Sequence, residues 1–289
     1  MADSAQKLKY STIRTYLHGV ATTQVELGFS TPLSTESMVW RMLKGIKRVQ
    51  GASTTKVRLP ITTSILSQLE QFQDISSPEG LCVRAAMWLG TTGLLRSGEF
   101  AWRSTLTVVL KRNALSFHAS DERELPVTTQ RDAIYMKVRL TQSKTDPFRV
   151  GMDIIVSNPS ALTAMHDYLE VRKGGTTEPL FIFAQVSNAV APLSVSELVT
   201  TTQRLLTKAK ILNPQLYLGH SFRKGGATSL HEAGETDSLI KTMGRWRSFA
   251  FATYVSTSLQ LLVRAGQQMT GAPTVPRKVD EPWDMGVWE

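Results

Sequence analysis

The sequence predicts a mainly α-helical protein with one small antiparallel β-sheet, an α+β arrangement and not an alternating α/β one. Three observations predict it. Apolar residues recur at helical spacing before about residue 95 and again after about residue 160. Strand-like character, with β-branched residues and period-two alternation, is confined to the stretch between. The composition, 42% hydrophobic and 20% charged over 289 residues, is that of a globular chain able to bury a core and long enough for two domains.

In chain order, Ser11 to Val25 carries Ile13, Tyr16, Leu17 and Val20 on one helical face behind a Ser11 or Thr12 cap. Ser37 to Val49 repeats the pattern with Met38, Met42, Ile46 and Val49, and Gly51 to Thr55 then opens a linker running to about Pro60. Ile61 to Phe72 reads as a helix, and Leu81 to Leu95 as a buried one because its apolar residues are nearly continuous. Leu106 to Leu110, Ala133 to Leu140 and Phe148 to Val156 read as strands. Asp146-Pro147 marks a turn between the second and third, which places Lys144 on a hairpin. Helical spacing returns at Ala161 to Arg172, Val195 to Leu206, Lys224 to Ala233, Asp237 to Met243 and Leu259 to Gln267. From Gly271 the chain is a tail rich in Pro and acidic residues, with Trp283 and Trp288 near its end.

The 33 basic and 24 acidic residues give a formal charge of +9, which points to a polyanionic partner, nucleic acid first. Residues 1 to 60 hold nine Lys or Arg against three acids, so most of the excess is amino-terminal; a merely solubilising surface is the competing reading. Cys82 is the only cysteine, which excludes an internal disulfide and a Cys-based zinc site. The five histidines lack paired metal-ligand spacing, so no metal and no cofactor is expected. No stretch approaches the roughly 18 apolar residues of a membrane span, and an intracellular protein is expected.

Gly93-Leu94-Leu95-Arg96-Ser97-Gly98 has the glycine spacing of a phosphate-binding loop, but Glu99 and Phe100 stand where Lys and Ser or Thr would be needed. More informative is an ordered series: Arg96 within Gly93 to Glu99, Lys144, His220-Ser221-Phe222-Arg223, Gly244-Arg245-Trp246, and Tyr254. Each part alone has a plain structural explanation. Arg96 alone is a surface arginine paired with Glu99, His220 a structural histidine, Lys144 an exposed loop lysine rivalled by Lys137 and Lys111, and Tyr254 a core tyrosine beside Phe249, Phe251 and Val255.

As a series these residues resemble the active site of the tyrosine recombinase family, in the order Arg, Lys, His-x-x-Arg, His or Trp, Tyr. The segment Gly219 to Thr228 matches it almost throughout, and the local wording is similar to the eukaryotic mobile-element branch of the DIRS and Crypton types. The resemblance covers residues 60 to 265 best. It implies the catalytic fold of the DNA breaking and rejoining enzymes, with catalytic residues Arg96, Lys144, His220, Arg223, Trp246 and Tyr254. The chemistry fits those residue types. Phosphoryl transfer places extra negative charge on the nonbridging oxygens, which the guanidiniums of Arg96 and Arg223 would stabilise. His220, three residues before Arg223, is suited to proton transfer with the tyrosine hydroxyl or to hydrogen bonding to the phosphate, Lys144 to protonating the departing 5′-hydroxyl, and Tyr254 to forming a 3′-phosphotyrosyl link. Glu99 reads as an orienter of Arg96 or a helix cap.

Two departures stand out. Arg245 occupies the count, nine before the tyrosine, at which the family has His or Trp; Trp246 is chosen for its indole donor and ring, with Arg245 as the alternative. Only two helices precede the linker where the family has at least four, so a truncated clamp is expected. The implied domains are a partial helical core-binding (SAM-like) clamp over 1–55, a catalytic domain over 60–270 and a tail over 271–289. Arg14, Arg41, Lys44, Lys47, Arg48 and Lys224 would grip DNA phosphates. The implied partners are double-stranded DNA and further copies of the chain in a tetramer, with the tail docking on a neighbour, and the implied location is the nucleus if the host is eukaryotic. Relaxation of DNA in the manner of type IB topoisomerases, and non-catalytic DNA binding by a derivative of a mobile element, are the competing functions.

Overall fold

The computed structural model describes residues 8–29, 33, 37–50, 57–103, 109–143, 148, 150–172, 174–186, 189–246, 249–255 and 263. The chain divides into two compact units, Met1–Val57 and Arg58–Glu289.

The first unit is a pair of helices, α1 (Tyr10–Glu26) and α2 (Ser37–Gln50). Gln50 fastens them, accepting from the Tyr10 backbone N–H (2.7 Å) and donating to the Leu8 carbonyl (2.9 Å). The His18 and Trp40 rings meet at 5.8 Å and the Lys47 ammonium lies over Tyr10. Of its described residues only Ala21 and Leu43 are buried, while Arg14, Arg41, Lys44, Lys47 and Arg48 are exposed.

The second unit is organised by α4 (Pro78–Thr92), which runs buried from Leu81 to Thr91 except at Arg84. A helix apolar on all sides can only be central, and α3 (Thr63–Glu70), α6 (Pro159–Val171), α7 (Val195–Lys208) and α8 (Ser221–Glu232) pack around it. The short α5 (Ser97–Phe100) follows α4, and α9 (Asp237–Gly244) follows α8. Most starts are fixed locally by a side-chain cap: Thr62 on α3, Ser77 with Pro78 on α4, Asn158 with Pro159 on α6, Ser194 with Glu197 on α7, and Thr236 on α9. Polar bonds tie the layers together. Arg84 holds Glu70 (3.0 Å) and Asp167 (2.8 Å), Trp88 donates to the same Glu70, and the Tyr168 hydroxyl donates to the Leu180 carbonyl.

The sheet has the order β1 (Leu115–His118), β2 (Tyr135–Leu140), β3 (Met152–Val156), all antiparallel, with Leu115 opposite Val138 and Met136 opposite Val156. Alternation places Leu115, Phe117, Met136, Val138, Leu140, Ile154 and Val156 in the core. Two expectations need correcting here. Of the strand expected at Leu106–Leu110, residues 106–108 lie outside the described ones, and the strand that pairs with β2 is Leu115–His118 instead. A second sheet, β4 (Ile182–Val186) with β5 (Ala189–Pro192), was not expected. The helix expected at Leu259–Gln267 and the tail with Trp283 and Trp288 fall outside the described residues, apart from a helical Val263. No helix among the described residues is long and apolar enough to cross a membrane.

Candidate active site

Two glycines let α8 reach its place. A Cβ on Gly225 would stand 1.7 Å from the Ile61 carbonyl oxygen, and one on Gly226 2.0 Å from that of Thr91. With hydrogen there instead, α8 lies against the chain entering α3 on one side and against α4 on the other. Gly219, just before α8, does the same, where a Cβ would meet the Ser97 hydroxyl at 2.4 Å. The segment carrying His220 and Arg223 is thereby seated against the turn carrying Arg96.

That turn has its own signature. Leu94 is a left-handed non-glycine residue, φ 47°, a conformation costing about 1–2 kcal/mol that persists only where the surroundings over-determine it. Its carbonyl accepts from Arg223 Nη1 (2.5 Å) and Arg245 Nη2 (3.0 Å). Glu99, on α5, accepts from the Arg96 backbone N–H and from its Nη1, both at 2.9 Å, and from Arg245 Nη2 at 2.9 Å. It therefore caps α5 and orients arginine, as its position three residues beyond Arg96 implied.

Arg223 is fully buried. It donates to the Leu94 and Gly244 carbonyls, and its guanidinium carbon lies 4.3 Å from the Trp246 ring and 5.7 Å from that of Tyr254. Trp246 and Tyr254 are 5.2 Å apart, and the two pack with Leu94, Ala227, Ile240 and Phe251. Burial, with Arg96 and Arg245 adding repulsion, pushes Arg223 down to about 9. The same two causes, burial first and then Arg58, Arg96, Arg223 and Arg103, hold His220 below the ordinary histidine range. A neutral imidazole can accept a proton.

Among the described residues the cluster contains three guanidiniums, Arg96, Arg223 and Arg245, around one carboxylate, Glu99. An excess of two positive charges in a largely buried setting is stabilised by an anion, and the buried Nε of Arg223 and Nε and Nη1 of Arg245 have no hydrogen-bond partner among the described residues.

The structure thus brings together Arg96, His220, Arg223, Trp246 and Tyr254 of the expected residues. Lys144 lies outside the described residues; the paired strands β2 and β3 on either side of it are in place. Lys224 donates to the Arg58 carbonyl at 3.0 Å. Two contributors carry no sequence signal, and a third has a role other than the expected one. The exposed Arg58 and Arg103 flank His220 electrostatically, and nothing in their local sequence marks them. Arg245 was read as an alternative to Trp246, not as a partner of Glu99.

The fold is that of a tyrosine recombinase catalytic domain, mainly helical with small antiparallel sheets. Among solved structures, XerA recombinase superposes with a TM-score of 0.50 at 14% identity, over 94% of this chain and 87% of that one. XerH recombinase bound to a palindromic difH substrate, in a post-cleavage complex, also gives 0.50 at 14% identity, over 90% of this chain and 70% of that one. No protein-family model matches the sequence, and no curated protein matches it.

Proposed function

We propose that this protein cleaves and rejoins DNA strands through a 3′-phosphotyrosine at Tyr254, in site-specific recombination or integration of a mobile element. The observation that carries the reading is the convergence of Arg96, His220, Arg223, Trp246 and Tyr254 around a turn with two unbalanced positive charges, on a fold shared with XerA and XerH recombinases.

The Tyr254 hydroxyl attacks phosphorus, its proton passing to neutral His220. The bond to the 5′-oxygen breaks, and Lys144 supplies the proton that this leaving oxygen needs. Arg96 and Arg223 stabilise the charge that develops on the nonbridging oxygens. Trp246 packs against both Arg223 and Tyr254, buttressing the nucleophile and presenting an indole donor. The tyrosyl link retains the energy of the broken bond, so the 5′-hydroxyl can reverse the step without ATP.

The partner is double-stranded DNA. Arg14, Arg41, Lys44, Lys47 and Arg48 on the exposed faces of α1 and α2, together with Lys224, contact phosphates of a duplex bound by a tetramer. Gly244-Arg245-Trp246 supports a mobile element of the DIRS or Crypton type, which in a eukaryotic host acts in the nucleus. Nicked suicide substrates bearing candidate sites test the reading. A covalent adduct on a denaturing gel with the wild type, absent with Tyr254→Phe, is the expected result. Tight binding with no adduct on any substrate refutes it in favour of a non-catalytic DNA-binding protein.

A further inference from the structure

We propose that Arg245 is a positioning residue that locks both phosphate-binding arginines at once; the inference rests on the cleavage reading above. Its Nη2 donates to two acceptors, the Leu94 carbonyl at 3.0 Å and Glu99 Oε2 at 2.9 Å. Each acceptor holds one arginine of the pair. The Leu94 carbonyl takes Arg223 Nη1, and Glu99 takes Arg96 through both its side chain and its backbone N–H. One guanidinium therefore joins the two hubs on which Arg96 and Arg223 depend.

The bonds that Arg245 makes inside the cluster define this role. The Arg245 side chain is 9% exposed and Glu99 6% exposed, and Nε and Nη1 of Arg245 are buried. Arg96, held by the same carboxylate, is 22% exposed and is the member of that pair open to a phosphate. The backbone supports the same assignment. Arg245 is left-handed, φ 58°, and ends α9 by donating to the Thr242 carbonyl. That turn brings the following residue, Trp246, over the Arg223 guanidinium. Residue 245 thus couples the Trp246 and Tyr254 segment to the α4–α5 turn.

There is also an electrostatic consequence. Glu99 alone would neutralise Arg96. Shared between two guanidiniums, its charge is half spent on Arg245, and Arg96 keeps positive charge for the phosphate. Removing Arg245 should then harm the chemical step more than DNA binding, and removing the Glu99 charge as well should restore part of the loss.

Single-turnover cleavage of a nicked duplex at saturating protein, with affinity and melting temperature measured in parallel, tests this on the full chain. Arg245→Gln is expected to lower the rate by about 100-fold with affinity changed less than about threefold. Arg245→Lys, which keeps the charge and a donor nitrogen, should lie within about tenfold of wild type. Glu99→Gln in the Arg245→Gln background should regain about tenfold over the single variant. A rate for Arg245→Gln within threefold of wild type overturns the proposal. So does strict additivity of the two substitutions, or a rate loss that follows the melting temperature. Absence of any adduct with the wild type refutes the cleavage reading itself, and is distinguished by appearing before any variant is made.

Discussion

A methyl group at Gly225 should unseat the helix that carries His220 and Arg223. In Gly225→Ala the new Cβ would lie 1.7 Å from the Ile61 carbonyl oxygen and 2.1 Å from its carbon, both backbone atoms that no side-chain rotation can move. Restoring ordinary contact needs a withdrawal of about 1.5 Å, which stretches the bond from the Ile61 N–H to the Ser221 carbonyl, now 2.9 Å. Overpacking of this kind costs about 1–3 kcal/mol and the lost bond about 1 kcal/mol, against about 1 kcal/mol gained from the better helix propensity of alanine. The net is a loss of about 1–3 kcal/mol, or a melting temperature lower by about 2–12 °C for a unit of this size. Thermal unfolding followed by circular dichroism reads it directly. Gly19→Ala is the control: it lies within α1 with nothing within 4 Å of the added carbon, and should leave the main transition unmoved or raise stability by up to about 1 kcal/mol. A Gly225→Ala protein melting within 2 °C of wild type would refute the close approach of α8 to residue 61, and with it the reason given for the position of Arg223.

Salt dependence tests the arginines beside His220: Arg58→Ala and Arg103→Ala should each reduce the slope of log affinity against log salt by about 0.9, and unchanged slopes would remove them from the DNA interface. The depressed His220 has a signed pH consequence. Its folded value lies below its unfolded one, so the unfolded state binds more protons between the two, and stability falls as pH drops from about 6.5 toward the folded value. His220→Asn should flatten that part of the stability profile measured in urea, and an unaltered profile would count against the burial described here. In cleavage assays the same depression should place the acid limb below about 6.5, and Arg58→Ala should shift it upward, because a positive neighbour is removed.

Much of this architecture could be read from local signals because local physics decides it. The caps at Thr62, Ser77, Asn158, Ser194 and Thr236 satisfy helix N–H groups within three residues, so start positions are encoded where they occur. The nearly continuous apolar run from Leu81 marks α4 as a buried helix in the sequence alone. By contrast β1 spans four residues, too few for alternation to stand out, and the β4–β5 hairpin depends on Leu180 and Phe181 being anchored by Tyr168 and the Leu193 N–H.

The sequence by itself determined the mainly helical class, the order of the reactive residue types, and the small residues that α8 needs at Gly225 and Gly226. Only the tertiary structure decided how the charges share their partners. Arg245 meets Leu94 and Glu99 across separations of 151 and 146 residues, and Arg223 meets Leu94 across 129. No helical or strand period reports such distances. The left-handed turn at Leu94 likewise has no glycine to announce it, because the bonds that hold it come from distant segments brought close by the packing of α8 against α4.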